Sequence, residues 1–245
     1  MAIPSKIRLY VDHSLKSKNK IVLSEGQSHY LCNVMRLKNG SIITCFNAND
    51  GEYEASVFNI HKKQTEVCLG LQIRKPVASP DIWLLFTPLK KDRTDFLVEK
   101  SVELGVSTLL PVITKYSITD KIKYERVQAQ MIDASEQCER MDVPNLLPTA
   151  KLENVLKNWD STRRLFFLDE RGGGEDCFTA FSHSKEQKTA LLIGPEGGFS
   201  ADEADMLYNL PFVTAVSLGP RILRAETAAA AALSVWQAVS GDWKK

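Results

Sequence analysis

Two stretches decide how this chain folds: Leu191-Leu192-Ile193-Gly194-Pro195-Glu196-Gly197-Gly198-Phe199-Ser200 and Val216-Ser217-Leu218-Gly219-Pro220-Arg221-Ile222-Leu223-Arg224-Ala225-Glu226-Thr227. Each begins in a near-continuous apolar run, breaks at Gly-Pro, and leads into a helix signal. A run that is near-continuously apolar, with no strict alternation, is a strand buried on both faces, as parallel sheets require. The same texture recurs at residues 82–87, 108–113, 165–168, 190–193 and 213–218. Helical patterns lie between them, over 92–104, 124–139, 201–210 and 226–239. Ser200 followed by Glu203 reads as a capping box, and Gly105 stands where a helix C-terminus favours glycine. Strand–helix alternation from residue 82 to the end predicts a parallel α/β sheet.

Working back toward the N-terminus, residues 74–80 hold Pro76 and Pro80 and read as a linker. Before it the chain looks different. Short β-favouring runs at 42–46, 53–58 and 66–73 are punctuated by turn residues, and Asp50-Gly51 marks a hairpin. A small barrel or sandwich is expected there, with a helical turn near 29–37. The division is therefore 1–75 and 76–245. Charge follows it: residues 1–75 carry 11 Lys/Arg against 6 Asp/Glu, a net +5, whereas 76–245 carry 20 against 24, a net −4. The overall +1 hides a basic front on an acidic body, the asymmetry of a binding module joined to a second function.

Composition excludes several classes. Hydrophobic residues are 44% and charged residues 25%, ordinary for a soluble globular protein. No run of about 18 apolar residues is present, so no membrane span is expected, and the polar start lacks the apolar core of a secretory signal. Cys32, Cys45, Cys68, Cys138 and Cys177 have no paired spacing, so thiols in a reducing cytoplasm are expected in preference to a disulfide framework or a zinc site. The four histidines form no metal motif.

In open α/β sheets ligands bind beyond the carboxyl ends of the strands, where both glycine loops fall. Glycine admits a ligand against the backbone and proline stiffens the bend, although tight turns alone would use the same residues. Neither loop is a dinucleotide fingerprint or a phosphate loop.

Residues 191–203 and 218–227, with Lys100-Ser101-Val102-Glu103-Leu104-Gly105 and Glu136-Gln137-Cys138-Glu139-Arg140, resemble the bacterial 16S ribosomal RNA uridine N3-methyltransferases. That family is of the SPOUT class, which uses S-adenosylmethionine. His29, Val34-Met35-Arg36-Leu37 and Gly40 resemble its RNA-binding, PUA-like barrel. The resemblance spans essentially the whole chain, except that 170–176, with three consecutive glycines, falls outside it. It implies a SPOUT-type parallel sheet with a C-terminal deep trefoil knot, preceded by the barrel. It also implies a homodimer whose cofactor pocket lies beside the subunit interface, consistent with a last helix that is apolar nearly all round, though burial within one subunit explains that helix equally well.

The resemblance further implies that S-adenosylmethionine packs on Leu192, Ile193, Gly194, Pro195, Glu196, Gly197 and Gly198 and on Leu218, Gly219, Pro220 and Leu223, with Leu168 as a third wall. Uridine N3 bears a proton that must leave before it can accept a methyl group, so a proton acceptor or an anion stabiliser is needed. Arg224 is the candidate stabiliser; Glu226 and Glu196 are candidate bases, each with a structural role favoured. Candidate RNA contacts are Arg8, Arg36 and Lys38 in the front part and Lys90, Lys91, Arg93 and Arg221 in the body. The implied partner is 16S ribosomal RNA, within the small subunit or an assembly intermediate, with no membrane and no metal. A silent RNA-binding factor with this fold, and a SPOUT enzyme acting elsewhere on RNA, are the alternatives.

Overall fold

The hairpin signalled by Asp50-Gly51 forms as read. In this computed structural model, which describes residues 7–183 and 188–243, strands β3 (Ile42–Asn47) and β4 (Gly51–Phe58) pair antiparallel. The Asn47 side chain accepts hydrogen bonds from the backbone N–H groups of Asn49 and Asp50 at 3.0 and 2.7 Å, and Gly51 takes φ +84° to close the bend. With β1 (Arg8–Tyr10), β2 (Lys20–Val22) and β5 (Glu66–Arg74) they make a five-stranded sheet ordered β1-β3-β4-β5-β2. Alternate residues of β4 and β5 (Ala55 and Val57; Val67 and Leu69) turn inward on Leu9, Ile21, Leu31 and Ile43. The helical turn expected over 29–37 starts earlier: α1 (Glu25–His29) is capped reciprocally by Ser24 and Gln27, then widens into a π-helical turn at Tyr30–Val34.

The chain divides into two compact units, and this first one comprises residues up to Ala78 together with Ser135–Val143. The returning segment is held by Arg8. Its guanidinium lies 4.0 Å from the centre of the Phe46 ring and donates to Glu52 at 2.7 Å. It also donates to the carbonyls of Ser135, Glu136 and Arg140 at 3.1–3.2 Å. Only 6% of that side chain is exposed, so Arg8 is a core ion and not the RNA contact its charge suggested. Beside it, burial pushes the Cys45 thiol up to about 12, with Glu136 adding to the effect, which leaves that cysteine unreactive. All five cysteines stand free.

The second unit, Ser79–Ala134 and Pro144–Lys245, is built on the apolar runs. β6 (Ile82–Phe86), β7 (Thr108–Ile113), β10 (Arg164–Leu168), β12 (Thr189–Ile193) and β13 (Val213–Ser217) are joined by the short strands β8 (Asn145–Leu146), β9 (Ala150–Lys151) and β11 (Glu175–Asp176). The order is β11-β13-β10-β12-β6-β7-β8, with β9 also on β7, and every pairing in it is parallel. Every residue of β12 is buried, as the apolar run Ala190–Ile193 that follows Thr189 requires. α2 (Lys91–Glu103), α3 (Tyr124–Gln137), α4 (Leu152–Lys157), α5 (Cys177–Ser182), α6 (Ala201–Tyr208) and α7 (Ala225–Val239) connect the strands. The capping box read at Ser200 and Glu203 is complete. α3 stops at Gln137, short of 139, because Glu139 turns to φ +60°. Among the described residues no helix is long and apolar enough to cross a membrane.

The buried pair sets a test of the first unit. Glu52→Ala leaves the Arg8 guanidinium enclosed without its carboxylate, which costs about 3–5 kcal/mol. Hydrogen exchange at the β3 and β4 amides should quicken accordingly, and unchanged protection would show that the pair does not hold the sheet.

Candidate functional site

Because β10 lies between β13 and β12, the three strands release their chains at one edge of the sheet. After β12, Gly194 leaves room for the Phe199 ring, which a Cβ would meet at 2.6 Å. That ring packs edge-on against Phe167 of β10 at 5.0 Å between centroids. Gly198 takes φ +68° and its N–H donates to the Pro195 carbonyl at 2.9 Å, so the loop folds back on itself. After β13, Gly219 takes φ +100°, and a Cβ there would meet no atom within 4 Å.

Between the loops is a cleft of about 230 Å³. Leu168, Ile193, Val216, Leu218 and Leu223 give it apolar walls, and Gly194, Pro195, Gly198 and Gly219 present backbone to it. Asp169, Glu170, Glu196, Arg221 and Arg224 bring charge, and Ala225 and Ala228 of α7 close one side. An apolar enclosure with a few convergent polar groups is the usual form of a small-molecule site, although the volume is just below the ~300–1,000 Å³ of drug-sized ones, so part of a ligand would stand outside it.

Most of the cofactor-loop candidates converge here, three do not. Leu192 is fully buried in the core, Gly197 lies against Tyr116 at 3.3 Å from its would-be Cβ, and Pro220 is exposed outside the cleft lining. Asp169, Glu170, Val216 and Ile222 were not among the candidates. The first two directly follow Leu168 at a strand's carboxyl end, which is the signal that could have found them.

Two carboxylates and one arginine lock the loops together. Arg93, on the first turns of α2, meets Glu196 at 2.9 Å and Glu226 at 3.7 Å. It is thus occupied within the protein, a correction to its expected place on RNA. Glu226 lies outside the cleft lining, its Oε2 buried without a hydrogen bond. Arg221 and Arg224 are exposed, and among the described residues neither has an acidic partner within 4.0 Å. Arg36, Lys38 and Lys90 are exposed as a phosphate contact requires, and the side chain of Lys91 lies outside the described residues.

At the cleft floor Asp169, 1% exposed, accepts from Tyr208 Oη at 2.5 Å and from Arg171 Nε at 3.0 Å. Burial pushes this carboxyl up, but the hydrogen bonds from Tyr208 and Arg171, with the Arg171 charge, outweigh it and hold it below the usual carboxylate value. Among the described residues no cluster of three or more His, Cys, Asp or Glu could hold a metal.

A glycine-loop cleft at the carboxyl edge of a parallel sheet, in a chain that begins with a small curled β-unit, defines the class. A family described as the RNA methyltransferase domain matches residues 77–237, and the RNA methyltransferase PUA domain matches residues 23–67. A ribosomal RNA small subunit methyltransferase E from Rickettsia conorii is 31% identical over 229 residues, 93% of each chain. The enzyme of that name from Neisseria gonorrhoeae, solved bound to S-adenosylmethionine, superposes with a TM-score of 0.87 at 29% identity, covering 97% of this chain and 99% of its own. A Legionella pneumophila methyltransferase solved with the same cofactor also gives 0.87, at 31% identity over 96% and 98%. The chain belongs to the ribosomal RNA small subunit methyltransferase E family of RNA methyltransferases.

The Asp169 network yields a pH test. A carboxyl held below its unfolded value contributes stability above that value and loses it as pH falls through the folded one. Tyr208→Phe removes a bond to the charged form, so the Asp169 pKa should rise and acid unfolding should begin at higher pH. An acid midpoint identical to the wild type would remove Tyr208 from this role.

Proposed function

We propose that this chain methylates N3 of a uridine in small-subunit (16S) ribosomal RNA, with S-adenosylmethionine as donor. The observation that carries the reading is the cleft between the two Gly-Pro loops, in a chain whose relatives of the same family hold that cofactor. The residues present fit it: the apolar walls Leu168, Ile193, Leu218 and Leu223 suit an adenine face, and the backbone exposed at Gly194 and Gly219 suits its polar edge. When bound, S-adenosylmethionine supplies an electrophilic methyl group on a sulfonium.

The protein's own work is then placement and charge. Arg224, the N-cap residue of α7, is exposed at the cleft and, among the described residues, has no acidic partner within 4.0 Å, so its guanidinium is available to the anion that develops on uridine O2 and O4 as N3 loses its proton. Arg221, beside it on the same loop, suits a backbone phosphate. Glu196 and Glu226 act through Arg93, fixing the two loops at their working separation. The uridine must be unpaired or flipped out, because pairing hides N3.

On this reading residues 1–75 form the RNA-binding barrel and 76–245 the knotted catalytic domain, working in the cytoplasm on the small subunit or its precursor. The two chains of a homodimer meet along α7, where Thr227, Ala231, Ser234 and Ala238 leave a small-residue face partly uncovered.

Arg224→Ala should lower turnover by about 10²–10³-fold, as loss of one charge-stabilising donor does, while cofactor affinity by calorimetry is retained. A nucleoside digest of small-subunit RNA treated with labelled cofactor reads both the atom and the rate. Label on a ribose, on another base, or on no nucleoside would overturn the assignment.

A further inference from the structure

A second cavity, of about 410 Å³, lies farther along the same sheet edge. One wall is Leu89, Lys90 and the first turns of α2, which follow β6. The other is residues 118–123 and the start of α3, which follow β7. Since β6 and β7 come next to β12 in the sheet, groove and cleft open at one edge, roughly 12 Å apart by strands spaced ~4.8 Å.

The groove differs in chemistry from the cleft. Its floor is apolar, from Leu89 and Val127, with Ile118 53% exposed at its side. Its rim is Lys90, Lys121 and Lys123, all exposed and, among the described residues, without a carboxylate within 4.0 Å. The one carboxylate in its lining, Asp95, is already paired with Arg126, and the exposed Asp120 beside Lys121 lies within 4.0 Å of none of the three lysines, so the rim keeps a net positive charge. This happens on a part of the chain whose net charge is −4. The chain leading into this wall is also anchored to the segment after β12: Tyr116 lies against Gly197, and the Lys115 N–H donates to Glu203 at 2.8 Å.

Unpaired ammonium groups above an apolar floor are what a single nucleic-acid strand needs, phosphates on the rim and a base face below. We propose that this groove binds a nucleotide flanking the methylated uridine, giving the catalytic unit a single-stranded RNA track of its own. The inference rests on the function proposed above and adds Lys121 and Lys123 to it.

The test is the full-length Lys121→Ala/Lys123→Ala variant, titrated with a single-stranded, uridine-containing RNA between about 50 and 200 mM salt. Two lost phosphate contacts should flatten the slope of log affinity on log salt by ~1.4, at ~0.7 per contact for single strands. Calorimetry with S-adenosylmethionine checks that the variant is folded. A Lys157→Ala/Lys188→Ala control, which removes equal charge from positions preceding β10 and β12, should keep the wild-type slope. A double variant with the wild-type slope, or a control that loses as much, overturns the groove alone. A wild-type chain that binds no RNA or transfers no methyl group overturns the reading beneath it as well.

Discussion

The site exists because β10 is laid down between two strands that come later in the chain, β12 and β13, with all three parallel. Parallel pairing fixes direction, so three separate segments must leave the sheet at one edge. The cleft is the space their exits share. Gly194 makes room for Phe199, whose ring packed on Phe167 ties the first loop to the central strand, and Gly219 presents bare backbone on the other side. Were any of the three strands antiparallel, its loop would emerge at the opposite edge and no side-chain substitution could rebuild the cleft.

What the sequence made legible follows from length and period. β12 shows as four consecutive apolar residues, Ala190–Ile193, and the Ser200–Glu203 box marks the start of α6 to the residue. The pieces it did not show are those too short to carry a period: β8, β9 and β11 at two residues each, α4 and α5 at six. Within the site, residues on the two Gly-Pro loops were legible because the loops are distinctive. Asp169 and Glu170 were not, because Asp169 immediately precedes, and Glu170 opens, the 170–176 stretch that carries no recognisable pattern. Leu192 shows the opposite limit, since a loop motif does not say which neighbour of a lining residue turns into the core.

Charge was the weakest guide. The +5 of residues 1–75 counts Arg8, yet that arginine is consumed by Glu52, Phe46 and three carbonyls. Net charge counts side chains; binding depends on those left unpaired in water. By that measure the exposed cations without an acidic partner include Arg36 and Lys38 in the first unit and Lys90, Lys121 and Lys123 in the second, although the second unit is acidic on average.

The same accounting separates the arginines around the cleft. Arg93 faces two carboxylates, so its charge is spent on holding Glu196 and Glu226 in place. A guanidinium suits that task because its planar fork can serve two acceptors at once, which the point charge of a lysine does less well. Neutralised in this way, it has little field left for a charge that appears only during reaction. Arg224 has no such partner and stands at the cleft wall, at the positive end of α7, where the helix dipole adds to its field instead of opposing it. A developing uracil anion placed there would be the partner that Arg224 lacks, whereas at Arg93 it would have to displace a carboxylate already bound.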